Sequence, residues 1–153
     1  MKYNNIFITG STGVVGKPLL RKIVDQGHNV FALSRSKNND HLFSDLGVTK
    51  IEGDLFSEST YDHLSDKNID AIFHIAGVNN MCSKNPDGMF KANIEGTKQM
   101  LELGNRLKIK KFIYTSSAVT LGEDLGSVGN ELSNHRGYFL SKYEESKFLA
   151  EKE

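Results

Sequence analysis

Apolar residues in this chain gather into short dense clusters, separated by longer stretches with helical spacing. Asn5–Thr9, "NIFIT", is β-branched and aromatic and stops at Gly10, which predicts a strand. Val14–Gly27 places Val15, Leu19 and Ile23 on one helical stripe and closes on a glycine, which predicts a helix. Pro18 falls early in it, where a missing N–H matters least. Asn29–Ser34 predicts a second strand and Val48–Leu55 a third, weaker one. Ser57–Asp66 predicts a short helix capped by its serine. Asp70–Gly77 is a continuous apolar run, hence a fourth strand. Pro86–Lys108 predicts a long helix with a stripe through Phe90, Ile94, Met100 and Leu101, in spite of Gly96. Lys110–Ser117 predicts the fifth strand, Leu121–Gly137 a polar, glycine-rich loop, and the residues up to Glu153 a last helix.

Strands that alternate with helices imply an α/β fold: a parallel sheet of about five strands, covered by helices on both faces. Right-handed crossovers make such a sheet doubly wound and place ligands at the carboxyl ends of its strands.

Composition narrows the function classes. The 153 residues suit one domain over 1–153. Lys plus Arg and Asp plus Glu both number 19, so the formal net charge is zero. That leaves no electrostatic footprint for nucleic acid and no basic patch for an anionic membrane. Cys82 stands alone, which rules out an internal disulfide and suits a reducing compartment. Its setting, "NNMCSKNPDG", carries no catalytic motif, so it reads as an incidental thiol. No metal-ligand spacing appears. The first residues lack the apolar run of a signal peptide, and no segment approaches membrane-span length. A soluble, cytoplasmic protein is expected.

The junction of the first strand and first helix carries chemistry. "ITGSTGVVGKPLL" sets Gly10, Gly13 and Gly16 in a Gly-x-x-Gly-x-x-Gly spacing. Gly10 permits a tight turn, Gly13 lets the backbone approach a pyrophosphate, and Gly16 lets the helix pack closely. The helix N-terminus offers N–H groups and partial positive charge to phosphates. At the end of the second strand, where a carboxylate would bind a ribose 2′-hydroxyl, the chain has Ser34 and Arg35. A guanidinium there can pair with a 2′-phosphate, which favours NADP(H) over NAD(H). Asp54 of "GDL" is placed to accept from an adenine amino group.

The closing "GYFLSKYEESKFLAEKE" holds two Tyr-x-x-x-Lys frames, Tyr138 with Lys142 and Tyr143 with Lys147. On a helix the two tyrosines would lie roughly 140° apart, so one frame at most faces a given site. The face through Tyr143, Ser146, Lys147 and Ala150 is small and can lie close to a sheet. The face through Tyr138, Ser141, Lys142 and Glu145 would bring a carboxylate to the core. Glu144, Glu145 and Glu151 read as a solvated face.

These motifs together resemble the extended branch of the short-chain dehydrogenase/reductase superfamily, the NAD-dependent epimerase/dehydratase family. "TGSTGVVG" resembles its TGxxGxxG, "GDL" its adenine-contacting motif, "HIAG" its HxAx, "NIEGT" its NVxGT and "YTSSAVTLG" its strand-end serine motif. "YEESKFLAE" is similar to its YxxSKxxAE, which supports the frame of Tyr143 and Lys147. Within the family, "LSRS" and "YTSSAV" look most like the dihydroflavonol-reductase-like and hydroxysteroid-dehydrogenase-like groups, with sugar-nucleotide epimerases and dehydratases close by.

The resemblance implies a Rossmann fold and a set of roles. Ser117 would hydrogen-bond the substrate oxygen, with Thr115 and Ser116 as its near neighbours. Tyr143 would donate or accept the proton, and Lys147 would bind the nicotinamide ribose and lower the tyrosine pKa. Asn93 would support a kink and a water in the long helix. The cofactor would lie against Gly10, Ser11, Thr12, Gly13, Val14, Val15, Gly16, Ser34, Arg35, Asp54, Leu55, Ala76, Gly77, Asn93, Thr115, Tyr143 and Lys147. Family members continue past this last helix, so the resemblance implies a cofactor-binding half that stops before the substrate region, whether by truncation, proteolysis or as a natural short product. It further implies a small-molecule substrate and a homodimer through the long helix and the C-terminal helix. Three readings stay open: an NADP-dependent reductase or dehydrogenase, a sugar-nucleotide epimerase or dehydratase, and a cofactor-binding module without turnover.

Overall fold

A computed structural model describes residues 3–82, 84–123 and 127–153. The chain forms two compact units. One holds the chain up to Ala76 together with Gln99–Thr115, and the other holds Gly77–Lys98 and Ser116–Glu153.

The first unit contains the sheet. Its strands are β1 (Asn5–Thr9), β2 (Asn29–Ser34), β3 (Thr49–Glu52), β4 (Ala71–His74) and β5 (Lys111–Tyr114). Their spatial order is β3-β2-β1-β4-β5 and every pairing is parallel. Alternate side chains of β1 enter two different cores. Ile6 and Ile8 join Val30 and Ala32 with Leu20 and Ile23 of α1 (Gly16–Asp25). Phe7 joins Leu33 and Ile72 with Tyr61 of α3 (Ser59–Asp62) and with Met100 and Leu103 of α5 (Gly96–Leu107). Both faces of the sheet are therefore apolar and helix-covered, which explains the unbroken apolar runs of its strands. Each fully buried Phe or Ile contributes about 1.5–3 kcal/mol. This is the doubly wound, Rossmann-like arrangement expected. The chain reverses direction across the sheet between β1 and β4, so the carboxyl ends of these two strands flank the switch point.

Several element boundaries depart from the sequence pattern. β3 ends at Glu52 because Asp54 folds its carboxylate back onto the Phe56 N–H (2.8 Å), a side-chain turn that breaks the extended run. The helix expected over Ser57–Asp66 is only Ser59–Asp62, and no serine caps it: Glu58 precedes it without a side-chain bond, and Ser57 contributes its carbonyl to the Thr60 N–H. A 3-10 turn (Lys37–Asn39) and α2 (Asp40–Asp45) fill a stretch where the pattern predicts nothing. The Ser36 hydroxyl accepts from the Asn38 N–H, and Phe43 anchors α2 in the core.

The second unit is helical. It holds α4 (Asp87–Phe90), a π-turn (Lys91–Glu95), the first residues of α5, a 3-10 turn (Ala118–Thr120) and α6 (Lys142–Glu151). The long helix is thus interrupted, and its buried stripe is Met89, Asn93, Thr97, Met100 and Leu103. Phe90, Ile94 and Leu101 of the expected stripe are only half-buried. The wide π-turn takes up one residue more than a regular turn, which carries the buried stripe out of the phase read from the sequence. The described residues of 121–137 form no helix or strand, and 124–126 of that segment lie outside the described residues. Among the described residues no helix is long and apolar enough to cross a membrane.

Candidate active site

In the first unit the glycine loop is built against the end of β4. Gly10 adopts φ +70°, and a Cβ there would sit 2.5 Å from the Ala76 nitrogen. A Cβ on Gly16 would drive into the Gly10 carbonyl and lie 2.8 Å from Ser11 Cα. Only glycine fits either position, one for its left-handed backbone and both for close approach. A Cβ on Gly13 would make ordinary contact, 3.4 Å from the Gly10 oxygen, so nothing within the chain demands glycine there. The Gly13 N–H donates to the Gly10 carbonyl at 3.1 Å and closes the turn. Thr12 is half-buried, Val14 and Val15 are exposed, and Ser11 is fully buried with an Oγ that has no partner among the described residues.

Thr9 ties this loop to β4. Its hydroxyl lies 2.7 Å from His74 Nδ1 and accepts from the Ala76 N–H at 3.3 Å. The buried His74 ring stacks on Tyr114 of β5, with centroids 5.9 Å apart. Thr115 continues the ladder by donating its N–H to the His74 carbonyl at 3.0 Å. At the end of β2, Ser34 is buried and donates to the Ser36 carbonyl (3.2 Å), while Arg35 is exposed. Asp54 is exposed with one oxygen engaged by Phe56, and the half-buried Leu55 packs on the core.

In the second unit Asn93 is the hub. It is 1% exposed, and its amide pairs reciprocally with the backbone of one residue: Oδ1 accepts from the Val78 N–H (2.8 Å) and Nδ2 donates to the Val78 carbonyl (2.9 Å). Nδ2 also donates to Ser146 Oγ at 2.9 Å, and that hydroxyl donates to the Tyr143 carbonyl at 2.8 Å. Asn93's own carbonyl accepts from Thr97 Oγ1 at 2.6 Å. One amide thus joins the long helix, the strand-end segment at Gly77–Val78 and α6.

Lys147 lies in the same place. The point that a Gly77 Cβ would occupy is 3.2 Å from Asn93 Oδ1 and 4.0 Å from Lys147 Nζ. Lys147 is 4% exposed, and burial pushes its pKa down to about 8 against a smaller raising effect of Glu151. Tyr143, one helical turn earlier, is half-buried. Ser117 is half-buried and opens the 3-10 turn by accepting the Val119 N–H (3.4 Å). That turn is tied to α6 by Thr120 Oγ1, which donates to Glu151 Oε1 at 3.1 Å. Ser116 Oγ is buried without a partner among the described residues.

Two expectations about the closing segment need correction. Tyr138 and Lys142 do not share a helix. α6 begins at Lys142, capped by the Ser141 hydroxyl on the Glu144 N–H (3.1 Å), and Tyr138 precedes it, 63% exposed. Lys142 pairs with Glu145 at 2.7 Å. Nor is Glu144 solvated: it is 2% exposed, accepting Arg136 Nη1 and the Leu140 N–H, both at 2.8 Å. Burial of a carboxylate is tolerable because a guanidinium and an amide satisfy it. The signal lay in "SKYE", a Ser-x-x-Glu capping pattern that reserves the glutamate for the helix start. Ser146, Thr9 and Arg136 carry no such signal, since their partners are brought in from distant segments.

A family model described as "NAD dependent epimerase/dehydratase family" matches residues 6–153. Among curated proteins, the chain is 30% identical over 153 residues to the 2-alkyl-3-oxoalkanoate reductase of Shewanella oneidensis, covering 99% of this chain and 38% of that one. It is 29% identical over 154 residues to the 3 beta-hydroxysteroid dehydrogenase/Delta 5-->4-isomerase of Mycobacterium tuberculosis, covering 96% and 41%. Among solved structures, it superposes on the UDP-Glc/GlcNAc 4-epimerase of Campylobacter jejuni with a TM-score of 0.84 and 25% identity, covering 97% of this chain and 47% of that one. The chain spans less than half the length of each of these proteins.

Proposed function

Because the chain belongs to the NAD dependent epimerase/dehydratase family, we propose that it is the cofactor-binding and proton-transfer part of an NAD(P)-dependent oxidoreductase. The whole enzyme would move hydride between nicotinamide and a carbonyl or alcohol of a small-molecule substrate, with NADP(H) favoured over NAD(H). The observation that carries this is Lys147, an amine 4% exposed with its pKa at about 8, one turn from Tyr143. Burial of an ammonium is costly, so its placement one turn from Tyr143 and beside Asn93 supports a chemical role over a packing role.

The residues present fit a dinucleotide. Gly13 presents exposed backbone where nothing within the chain demands glycine, and the buried Ser11 Oγ has no partner among the described residues. Gly10, Ser11, Gly13 and Gly16 would hold the diphosphate, Arg35 a 2′-phosphate, and Lys147 the ribose beside the nicotinamide. When bound, the nicotinamide supplies or takes the hydride. Tyr143 passes the proton to or from the substrate oxygen, and Ser117 orients that oxygen by a hydrogen bond. Lys147, still largely protonated at neutral pH, would place a positive charge one helical turn from Tyr143. Association of two copies through helical surfaces belongs to the same proposal; Leu149 on α6 is 37% exposed.

Titration of the purified chain with NADPH and NADH, followed by nicotinamide fluorescence, tests the cofactor. NADPH should bind more tightly by about tenfold or more, the worth of a charge-assisted bond, and Arg35→Ser should erase the gap. Equal affinities in the unaltered chain would refute the preference. The likeness to a UDP-sugar 4-epimerase favours a second reading, in which the cofactor is used transiently. Stoichiometric oxidation of added NADPH by the whole enzyme would exclude it.

A further inference from the structure

We propose that Arg136 is a positioning residue that fixes the turn bearing Ser117 to the start of the helix bearing Tyr143. This rests on the reading above of those two side chains as the pair that faces the substrate oxygen.

Arg136 reaches in two directions at once. Nη1 donates to Glu144 Oε1 at 2.8 Å, and Glu144 is the residue next to Tyr143 in the first turn of α6. Nη2 donates to the Leu121 carbonyl at 3.2 Å and to Glu123 Oε2 at 2.9 Å. Leu121 closes the turn that Ser117 opens: its N–H bonds the Ala118 carbonyl at 3.2 Å, and the Thr120 N–H bonds the Ser117 carbonyl at 3.1 Å. The guanidinium is therefore a strut between the two elements, its side chain only 12% exposed.

The surrounding bonds hold the strut itself in place. Glu144 Oε2 accepts from the Leu140 N–H at 2.8 Å, so the carboxylate also fixes how the chain enters the helix. His135 lies 3.6 Å from Glu144 Oε1, and its ring packs on Phe148 of α6 and on Phe139, with centroids 4.2 and 4.9 Å away. The Gly122 N–H donates to the Asn134 carbonyl at 2.9 Å, which brings the two ends of the intervening loop together. The bond from Thr120 Oγ1 to Glu151 Oε1 ties the same turn to the far end of α6. The turn and the helix are joined at both ends, and Arg136 makes the join nearest Tyr143. A lysine can satisfy Glu144 but cannot fork to the Leu121 carbonyl as well.

The test uses the full chain with 3-fluorotyrosine placed only at position 143, read by its fluorine resonance, and amide exchange read at Thr120. In Arg136→Met and in Arg136→Lys the resonance should move, and Thr120 exchange should speed up about tenfold or more. If Arg136→Met fails to fold, Arg136→Lys decides, because it keeps a cation beside Glu144. An unmoved resonance overturns the proposal whatever the exchange rate, since Arg136 would then support only the loop. A moved resonance with Thr120 exchange within about twofold of the unaltered chain also overturns it, since the two elements would then respond separately. NADPH titration of the same samples reports on the functional reading alone: failure of the unaltered chain to bind counts against that reading and leaves the strut standing.

Discussion

Replacing Asn93 by leucine separates hydrogen bonding from packing at the centre of the second unit. The two side chains have similar bulk, so the substitution leaves little cavity, and what it removes is the amide. Asn93 holds the Val78 N–H at 2.8 Å, the Val78 carbonyl at 2.9 Å and Ser146 Oγ at 2.9 Å. Ser146 keeps its bond to the Tyr143 carbonyl, so its loss is small. The two Val78 groups are left facing an apolar side chain, and each orphaned group costs about 1–3 kcal/mol. Val78 itself is 41% exposed, which admits some water and favours the lower half of that range. Asn93→Leu should therefore destabilise by about 3 kcal/mol. Asn93→Ala leaves room for a water to bridge the orphaned groups and should cost about 1 kcal/mol less. This ordering is the reverse of an apolar core position, where the smaller residue is the more damaging. Urea unfolding with matched m-values measures both. A leucine variant as stable as the alanine variant, or more so, would refute the assignment of Asn93 as a polar hub.

Two other substitutions separate folding from binding in the glycine loop. Gly16→Ala should destabilise the chain by about 1–3 kcal/mol because its Cβ meets backbone that cannot yield. Gly13→Ala should leave the urea midpoint unchanged and weaken NADPH binding, since only a ligand needs that backbone bare; loss of stability without loss of affinity would count against the cradle. Lys147 makes stability depend on pH. Its folded pKa of about 8 lies below the unfolded 10.5, so between those values the unfolded chain binds more protons, and stability rises with pH across that window. Below about pH 8 the penalty for burying the ammonium is present in full. Lys147→Met should lose this rise, which urea midpoints at pH 7.5 and 10 would show as a difference between the two chains; parallel midpoints would mean that the amine is solvated.

The sheet was legible because it rests on local patterns. Phe7 against Ile6 and Ile8 gives the two-sided burial of β1, and Gly10 marks its end. α2 was not legible: it is six residues long, has Phe43 as its one fully buried residue with Leu42 and Leu46 packed beside it, and begins behind a serine turn rather than a helical period. The stripe on the long helix was misread because the phase slips at the π-turn around Asn93, and no count of residues reveals an extra one within a turn. Glu144 looked like one of several surface acids. Its partner Arg136 sits eight residues earlier in a segment without periodicity, so the pairing exists only once the chain has turned back.

The bond between Thr9 and His74 bridges 65 residues, and the Gly10 turn is moulded against the backbone of Ala76. The glycine loop therefore cannot acquire its shape from its own neighbourhood in sequence. During synthesis the first strand, its glycines and the helix after it leave the ribosome long before β4 exists to receive them. Parallel pairings of this span close slowly, after the entropy of the intervening loop has been overcome. The emerging chain thus passes through a period in which β1 can pair with β2 but lacks β4, and the glycine turn lacks the backbone it is moulded against.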